Sequence, residues 1–319
     1  MSLIEKLAEF TKSKSDDGLF VLPENYGKGY IKSFNFGPEM NMMINQCEFK
    51  EEMTITRAGG NSRKEEITFS FRNLFAQDNK VAEKEDSVVK RSAAIPSVQV
   101  SAGDIDIEVF IPAKTKINTI VITVHINLLK SWINDTVENK FLNTITLQDK
   151  PYLYDQIISN EILEVAGKIG STAENKQLGH FYLKMKAEEM IYHFLSEMSK
   201  RESITSYPLN VADVKAMYNI KDILSSDLSN PPDLGDLALL SNMSESKMNK
   251  LFKQIFGNSI YNYYQALRMN EAAYLIREEK LSVSETGYRL GFSNLSHFSR
   301  IFEKHIGMKP KKYSAVVIS

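Results

Sequence analysis

The sequence of 319 residues contains a single cysteine and no long apolar run. One thiol, Cys47, cannot form an intramolecular disulfide or build a thiolate metal cage, so we expect a reducing compartment and a small buried side chain. A long uncharged stretch, residues 117–129, includes a histidine and two asparagines. Because a membrane-spanning helix needs ~18 apolar residues, we expect no segment that crosses a bilayer.

Signals for secretion and for catalysis are also scarce. Residues 1–10 interleave charged and apolar side chains, which predicts a short amphipathic helix rather than a signal peptide, and hence a cytoplasmic protein. The sequence has no glycine-rich phosphate loop with a lysine and no nucleophile elbow. Of the five histidines, only His125 lies in the strand-rich part, where we expect it to be buried and hydrogen-bonded. We therefore predict no enzymatic activity, no cofactor and no metal site.

The composition does supply enough apolar side chain for about two domains. Hydrophobic residues make up 43% and charged residues 25% of the chain, as in ordinary globular proteins with roughly 150 residues per domain. The net charge of -1 hides an asymmetry, because the chain from Asn219 onward has thirteen basic against ten acidic residues. Basic charge concentrated at one end is a weak indication of nucleic-acid binding, since Lys and Arg near phosphates release counterions.

Hydrophobic spacing divides the N-terminal part into a β-rich and a helical segment. Over residues 18–130, apolar side chains such as Ile67, Phe69 and Phe71 alternate with polar ones, and turn-forming residues at 58–62 and 101–103 separate the runs. Several short strands of this kind predict a sandwich or barrel. Residues 131–200 change to helical spacing, and 152–169 is also compatible with helix. The apolar positions that recur at helical intervals are Leu183, Ala187, Met190, Ile191, Phe194 and Met198.

A polar stretch separates this part from a C-terminal region with helical spacing. We predict an N-terminal domain over residues 1–200, a linker over 201–208 and a C-terminal domain over 209–319. The pair Pro231-Pro232 ends one helix and precedes the next, because proline is tolerated only before or within the first turn of a helix.

The C-terminal domain contains a degenerate internal repeat. Residues 238–244 match 287–293 at an offset of 49, and Leu251-Phe252-Lys253 with Gly257 match Ile301-Phe302-Glu303 with Gly307 at an offset of 50. In each copy a short helix leads through a turn to a serine, Ser244 or Ser293, that is a suitable N-cap for the next helix. This arrangement predicts two helix-turn-helix units.

The second helix of each unit has one apolar and one polar face. The positions expected to face the core are Met248, Leu251, Phe252 and Ile255 in the first copy, and Phe298, Ile301 and Phe302 in the second. The opposite faces carry Ser246, Asn249, Lys250 and Lys253, and Ser296, Ser299, Arg300 and Glu303. Arg, Lys, Asn and Ser can bond to base edges, and Leu295 at the helix start could contact a thymine methyl. Glu303 is the exception, either missing the bases or accepting from a cytosine amine.

A single helical hairpin with a polar face is usually ordinary surface, but two matched copies favour DNA binding. The helix expected between them, 259–279, would be about 31 Å long at ~1.5 Å per residue. This length is close to the ~34 Å between successive major-groove faces on one side of B-DNA. One chain could therefore place two recognition helices on DNA without forming a dimer.

The region from about 209 to 319 resembles the DNA-binding domain of the AraC/XylS family of bacterial transcription regulators. The resemblance is carried by "DLGDLALLSNMSESKMNKLFKQIFGNSIYNYYQALRMNEAAYLI" and "SVSETGYRLGFSNLSHFSRIFEKHIGMKPKKY". It implies a sequence-specific, helix-turn-helix DNA-binding regulator, with activation as the expected mode. Two positions depart from the family pattern, Gly287 where alanine is common and Ser314 where arginine often follows the tyrosine.

The resemblance also implies which residues contact DNA. Base contacts are expected at Ser246, Asn249, Lys250, Leu295, Ser296, Ser299 and Arg300. Contacts to the DNA backbone are expected at Lys247, Lys253, His297, Lys309 and Lys311. For His297 the alternative is a partly buried side chain beside Phe298.

Residues 1–200 resemble the N-terminal domains of family members that sense small molecules, including siderophore-responsive ones. The resemblance implies an α+β chain, with a cupin-like β-barrel and a helical segment followed by an all-α domain of two helix-turn-helix units joined by a long helix. It also implies a small-molecule effector, contact with RNA polymerase and a homodimer formed through residues 152–200, although those apolar stripes could instead pack on the barrel. A set of residues either lines an effector pocket or forms core: Tyr30, Phe34, Phe36, Met40, Met42, Met43 and Met53.

The leading hypothesis is a transcription regulator that binds promoter DNA and is controlled by an effector in its N-terminal domain. Two alternatives stay open. The N-terminal domain could only dimerise, which would make the protein a constitutive DNA-binding regulator, or the chain could be a cupin-type enzyme with a DNA-binding appendage.

Overall fold

The computed structural model describes residues 3–13, 15–57, 65–74, 96–102, 107–111, 113–133, 140–147, 152–170, 177–199 and 211–318. The turn expected at 58–62, Gly103 and the expected linker at 201–208 lie outside the described residues. The described residues form two compact units, the first within 1–80 and 96–205 and the second within 206–319. No helix of the described residues is long and apolar enough to span a membrane.

The first unit is built on an antiparallel sheet. Its strands are β1 (Leu19–Val21), β2 (Gly27–Asn35), β3 (Met40–Phe49), β4 (Met53–Arg57), β5 (Glu66–Arg72), β6 (Ser97–Ala102), β7 (Ile107–Ile111), β8 (Lys116–His125) and β9 (Leu153–Ile157). In the described residues, seven of them form one sheet in the order β1-β2-β3-β8-β5-β6-β9, and β4 pairs with β7 separately. The registers of β5 place Phe69 opposite Val100 of β6 and Ile122 of β8, so these apolar side chains share one face.

The described helices of this unit are α1 (Leu3–Thr11), α2 (Ile126–Trp132), α3 (Lys140–Leu147), α4 (Asn160–Gly170) and α5 (Gly179–Ser199). Residues of α2, α3, α4 and α5 pack on that face of the sheet. The Phe194 ring of α5 packs edge-on against Phe69 of β5 at 5.8 Å and against Phe141 of α3 at 6.0 Å. All six positions of α5 expected to be apolar and inward-facing are buried. The helical pattern of residues 183–198 is therefore confirmed.

The opposite face of the sheet carries a second, smaller core. Ile4 and Leu7 of α1 pack there with Phe20, Cys47 and Ile111, each of them buried. The amphipathic helix expected at residues 1–10 exists, therefore, and its apolar side covers the sheet. Burial raises the pKa of the Cys47 thiol to about 12, which matches the expected role of a small buried apolar side chain.

The structure confirms the α+β class and the order of a β-rich part followed by helices, but the sheet is not closed into a barrel. In the described residues its outer strands are β1 and β9, and β4 pairs only with β7. The expectation that 152–169 is mostly helical is wrong for Leu153–Ile157, which forms β9, while α4 follows it. Leu153, Tyr154, Asp155 and Gln156 are all buried, so this strand lacks the alternation by which strands are recognised.

The methionines considered for one effector pocket are divided between the two cores. Met40 and Met42 belong to the helix-covered core, with Phe34 and Phe36 packed against it. Met43 and Met53 pack against the core on the opposite face. This division favours core over a shared pocket for the set.

The second unit is helical. Its elements are α6 (Val211–Ser226), α7 (Leu234–Leu240), α8 (Glu245–Phe256), α9 (Ile260–Arg277), α10 (Val283–Arg289), α11 (Leu295–Ile306) and α12 (Pro310–Ile318). Polar side chains fix several starts, since Asp233 accepts from the amides of Gly235 and Asp236, and Ser282 with Glu285 forms a reciprocal capping box. α7 with α8 and α10 with α11 are the two expected helix-turn-helix units. α9 contacts α6 and α8 as well as α10, α11 and α12.

Candidate DNA-binding surface

The first recognition helix, α8, begins and ends where the sequence predicts. The Ser244 hydroxyl accepts from the amide of Lys247 at 3.3 Å, and Gly257 ends the helix in the left-handed conformation with φ of 75°. The expected apolar positions of α8 are all buried: Met248, Leu251, Phe252 and Ile255. The donor-rich face of α8 therefore points away from the core.

The second recognition helix, α11, begins one residue later than predicted. Its N-cap is Asn294, whose Oδ1 accepts from the amides of Ser296 at 2.9 Å and His297 at 3.0 Å, so the assignment of Ser293 is wrong. Serine and asparagine are comparable caps, and adjacent candidates cannot be separated by sequence alone. Phe298 and Phe302 are fully buried, and Ile301 packs partly buried against the same core, which confirms the predicted orientation of α11.

The shifted N-cap explains why the repeat changes its offset from 49 to 50. α7 and α10 start 49 residues apart, whereas α8 and α11 start 50 residues apart. The extra residue lies in the turn of the second unit, between Gly291 and Asn294. The two recognition helices therefore align at an offset of 50, which pairs Ser246 with Ser296, Asn249 with Ser299 and Lys250 with Arg300.

Every residue predicted to contact bases reaches the surface of its recognition helix. Ser246, Lys250, Ser296 and Arg300 are exposed, and Asn249, Leu295 and Ser299 are partly exposed. In α8 the outward positions Ser246, Asn249, Lys250 and Lys253 include no carboxylate, while Glu303 of α11 is exposed and takes the place of Lys253. Their contacts with bases stay predictions.

The residues predicted to contact the DNA backbone differ in their surroundings. Lys253, Lys309 and Lys311 are exposed. The Lys247 ammonium lies 3.2 Å from the Asp213 carboxylate of α6, so its charge is partly offset. The His297 ring lies partly exposed beside the Phe292 ring, with centroids 6.0 Å apart, and its amide is bound by the Asn294 cap.

The helix between the two units is shorter than expected. Ser259 is the N-cap of α9, and the helix ends at Arg277, which gives 18 residues and a length of about 27 Å. The predicted range 259–279 is therefore wrong at both ends. Lys280 adopts φ of 55°, and Glu279 binds Arg289 of α10 at 2.8 Å, so the chain turns just beyond α9 toward the second unit.

Two side-chain interactions near this surface could not be predicted from the sequence pattern. Arg268, in the middle of α9, is buried, and its guanidinium lies over the Phe292 ring at 3.7 Å from the centroid. Burial lowers the pKa of Arg268. The ion pair of Lys247 with Asp213 also could not be foreseen, because α6 lies outside the repeat.

In the residues that the structure describes, no three His, Cys, Asp or Glu side chains lie close enough together to hold a metal ion. His125, the histidine of the strand-rich part, caps α2 by accepting from the amide of Asn127 and lies 3.1 Å from the Glu65 carboxylate. It is hydrogen-bonded as expected, although it is only partly buried.

Comparisons with known proteins agree with this geometry. Residues 237–315 match a family model described as a helix-turn-helix domain. The chain is 28% identical over 124 residues to the Msm operon regulatory protein of Streptococcus mutans and 25% identical over 170 residues to the HTH-type transcriptional activator CfaD of Escherichia coli. These matches and the paired units make the chain similar to the AraC-type helix-turn-helix regulators.

The chain spans about half the length of the curated relatives it matches. The alignments cover 39% of the chain and 45% of the Msm regulator, and 51% of the chain and 63% of CfaD. A solved AraC-type transcriptional regulator from Chromobacterium violaceum is 26% identical with a TM-score of 0.31, covering 33% of this chain and 95% of that one. Residues 237–315 of the second unit are therefore assigned as a helix-turn-helix domain.

Proposed function

We propose that this protein is a sequence-specific transcription regulator in which α8 and α11 read two neighbouring sites on promoter DNA. The observation that carries this proposal is the pairing of two outward faces rich in hydrogen-bond donors, Ser246-Asn249-Lys250 and Ser296-Ser299-Arg300, at the same positions of two capped helices. Serine, asparagine and basic side chains are the groups that bond to base edges in the major groove.

The DNA part of the proposal can be tested by selection from a random duplex library with the full chain. We expect an enriched motif of two halves, because two recognition helices on one side of B-DNA meet successive major grooves about 10 base pairs apart. Genome-wide mapping of bound DNA would then identify the regulated promoters. Enrichment of no sequence in the selection would contradict the proposal.

We propose further that an effector bound in the first unit controls this activity, with the bound protein acting on RNA polymerase at the promoter. The family resemblance and the presence of a separate unit with its own cores support this step. A thermal-shift screen of metabolites and siderophores tests it, because a ligand of the folded state at a hundredfold excess over its Kd stabilises the protein by ~2.7 kcal/mol. A panel without any hit, combined with unchanged DNA binding, favours the constitutive alternative, and turnover of a compound favours an enzyme.

Dimerisation through α5 is the remaining part of the proposal. Leu178, just before α5, and Phe181, Met185 and Tyr192 on it are exposed at 59%, 63%, 44% and 65%, and their spacing of three, four and seven residues places them on one face. Lys184 and Lys186 already pair along the helix with Glu188 and Glu189, so the apolar stripe carries the proposed contact. A second copy packed antiparallel would bury the two stripes against each other, as a two-fold interface requires.

Sedimentation of the full chain tests this interface. We expect a dimer for the native protein and a monomer for the variant with Phe181→Asp and Met185→Asp. The matched control carries Lys184→Asp, which changes charge on the same helix outside the apolar stripe. An unchanged dimer in the double variant would move the interface elsewhere.

A further inference from the structure

The short loop that follows α6, residues 227–230, is held in one conformation by a carboxylate. Asp227 Oδ1 accepts from the backbone amide of Ser229 at 2.8 Å and from its hydroxyl at 2.6 Å, and Oδ2 accepts from the Asn230 side chain at 3.0 Å. These hydrogen bonds stabilise the charged carboxylate, so the pKa of Asp227 is lowered to about 2. We call residues 227–230 the coupling loop. It leads through two prolines directly into α7 of the first helix-turn-helix unit.

The coupling loop packs on the turn of the second helix-turn-helix unit. Gly291 in that turn has φ of +76°, and a Cβ built on it would lie 2.1 Å from the carbonyl oxygen of Ser229. The two backbones are therefore in direct contact, at a distance that admits only glycine. Leu228 adds an apolar contact, since it packs against the core of the second helix-turn-helix unit.

Two residues of α9 fasten the loop and the turn to the connecting helix. The buried Tyr264 donates its hydroxyl hydrogen to the carbonyl oxygen of Asp227 at 3.1 Å. Arg268, one turn further along, donates to the carbonyl oxygen of Leu290 and lies over the Phe292 ring. The hydrogen bonds of Tyr264 and Arg268 thus reach the residues on either side of the Ser229–Gly291 contact.

The first helix-turn-helix unit has no glycine at the matching place. Asn242, 49 residues before Gly291, adopts φ of 51° and is exposed. Asparagine tolerates the left-handed conformation, so the turn geometry by itself does not demand glycine. The requirement for glycine at 291 comes from the backbone of Ser229.

The two recognition helices are therefore connected by two routes, the covalent route through α9 and the contact of the coupling loop with Gly291. α9 itself carries core residues of the second helix-turn-helix unit, among them Met269, Ala272 and Ile276, so the loop contact is a further constraint on how that unit is oriented relative to the first. We propose that the Ser229–Gly291 contact completes this orientation, so that Gly291 determines which spacing between two DNA half-sites the protein accepts. This inference rests on the proposed function, because it concerns how the two recognition helices divide one binding site.

Spacing is a sensitive readout of this contact. Because B-DNA has about 10 to 10.5 base pairs per turn, inserting one base pair rotates one half-site by roughly 35° relative to the other. A rigidly connected pair of helices tolerates one spacing, whereas a pair free to rotate tolerates several. A purely structural role of Gly291 would lower stability without altering this preference.

The test compares native protein with Gly291→Ala on the bipartite site selected by the native chain, with zero, one or two base pairs added or removed between its halves. We expect the native chain to lose about tenfold or more in affinity for a shift of one base pair, the scale of one mismatched pair. We expect Gly291→Ala to keep the sequence preference of each half and to differ less than about threefold among neighbouring spacings. An unchanged spacing preference in Gly291→Ala would overturn the inference.

Gly307→Ala is the matched control. Gly307 ends α11 with φ of +83°, and nothing lies within 4 Å of the position its Cβ would take. The control therefore carries the same backbone strain without the collision, and it should keep the native spacing preference. A loss of preference in both variants would assign the effect to strain and would overturn the inference.

A gentler variant keeps the inference testable if Gly291→Ala does not fold. Tyr264→Phe removes the hydrogen bond to Asp227 and leaves the ring in place, so we expect a weaker penalty for shifted spacing at native half-site affinity. Native spacing preference in Tyr264→Phe, when Gly291→Ala is unfolded, would overturn the inference. A native chain that selects no bipartite site would instead refute the proposed function, so the two failures are distinguishable.

Discussion

Gly287 of α10 lies directly against Leu295, the first residue of α11. A Cβ on Gly287 would be 2.6 Å from Leu295 Cδ2 and 3.4 Å from Phe298 Cδ1. Ala238 occupies the matching place in the first helix-turn-helix unit, where it is buried. The second helix-turn-helix unit therefore has glycine where space is needed for Leu295, a side chain that we predict to contact DNA.

Replacing Gly287 by alanine should move Leu295 more than it changes stability. The nearest atom is the end of a flexible side chain, and alanine gains up to ~1 kcal/mol of helix propensity over glycine, which offsets the displacement. We expect a melting temperature close to native and an altered preference at the base pair contacted by Leu295. Ala238→Gly is the control, which should lose about 1 kcal/mol of stability and keep the preference in the second half-site. Identical selected sequences for native and Gly287→Ala would remove Leu295 from the base contacts.

Asn249→Ala and Lys250→Ala should each weaken binding to the selected site by ~1 to 3 kcal/mol and relax preference at particular base pairs. The physical reason is the loss of hydrogen bonds to base edges from the exposed face of α8. Competition binding with single-base variants of the site measures the effect, and Asn258→Ala, exposed beyond the end of α8, is the control. A loss spread evenly over all sequences would instead assign the two side chains to the DNA backbone.

Salt dependence separates backbone contacts from base contacts. Lys309→Ala or Lys311→Ala should weaken binding uniformly and reduce the slope of log K against log salt by ~1, because each contact releases counterions. Asp213→Asn should act in the opposite direction, since it leaves the Lys247 ammonium without the partner carboxylate 3.2 Å away. An unaltered slope in a lysine variant would exclude that residue from the interface, and an unaltered slope in Asp213→Asn would exclude Lys247.

Phe302→Ala should destabilise the second unit by ~3 to 5 kcal/mol. Its ring is fully buried and packs against Phe298 at 5.8 Å and Tyr313 at 5.5 Å, so truncation leaves a cavity among aromatic side chains. Chemical denaturation measures the change, and Leu240→Ala, whose side chain is exposed, is the control. A variant as stable as the native chain would mean that the orientation of α11 is wrong.

The coupling loop should contribute stability that depends on pH in a defined direction. The pKa of Asp227 is lowered from 3.8 to about 2, so the charged carboxylate stabilises the fold above the unfolded pKa, and this contribution is lost as pH falls toward about 2. Asp227→Asn should therefore melt below native at neutral pH, with a difference that shrinks between pH 3.8 and about 2.

Asp222→Asn is the matched control for this experiment. Burial raises the pKa of Asp222, with Lys221 opposing the shift, so the native aspartate gains stability relative to the variant as pH falls. The two differences must therefore change with pH in opposite directions. A difference for Asp227→Asn that does not vary with pH would mean that its charge does not hold the loop.

The recognition helices could be predicted because their sequence patterns are local. Met248, Leu251 and Phe252 recur at helical spacing, and Ser244 and Gly257 mark the ends of α8, so one helix determines which side chains face outward. The same reasoning failed by one residue at Asn294, where two suitable caps are adjacent.

Features that depend on distant residues were not predictable. β9 is buried at four successive positions and therefore does not alternate, which made it compatible with helix. The closure of a sheet depends on which strands pair, and alternation in Ile67, Phe69 and Phe71 gives the strand but not its neighbours. Arg268 would be expected at the surface from its charge. It is buried because its guanidinium binds the Leu290 carbonyl and lies over the Phe292 ring, both of which belong to the turn of the second helix-turn-helix unit.

The most direct test of two recognition helices reading one site compares Lys250→Ala and Arg300→Ala in the same random-duplex selection. These residues occupy matching positions of α8 and α11. The account predicts that Lys250→Ala loses sequence preference in one half of the motif only, and that Arg300→Ala loses it in the other half, about 10 base pairs away. Loss of preference in the same half for both variants, or in neither, would contradict it.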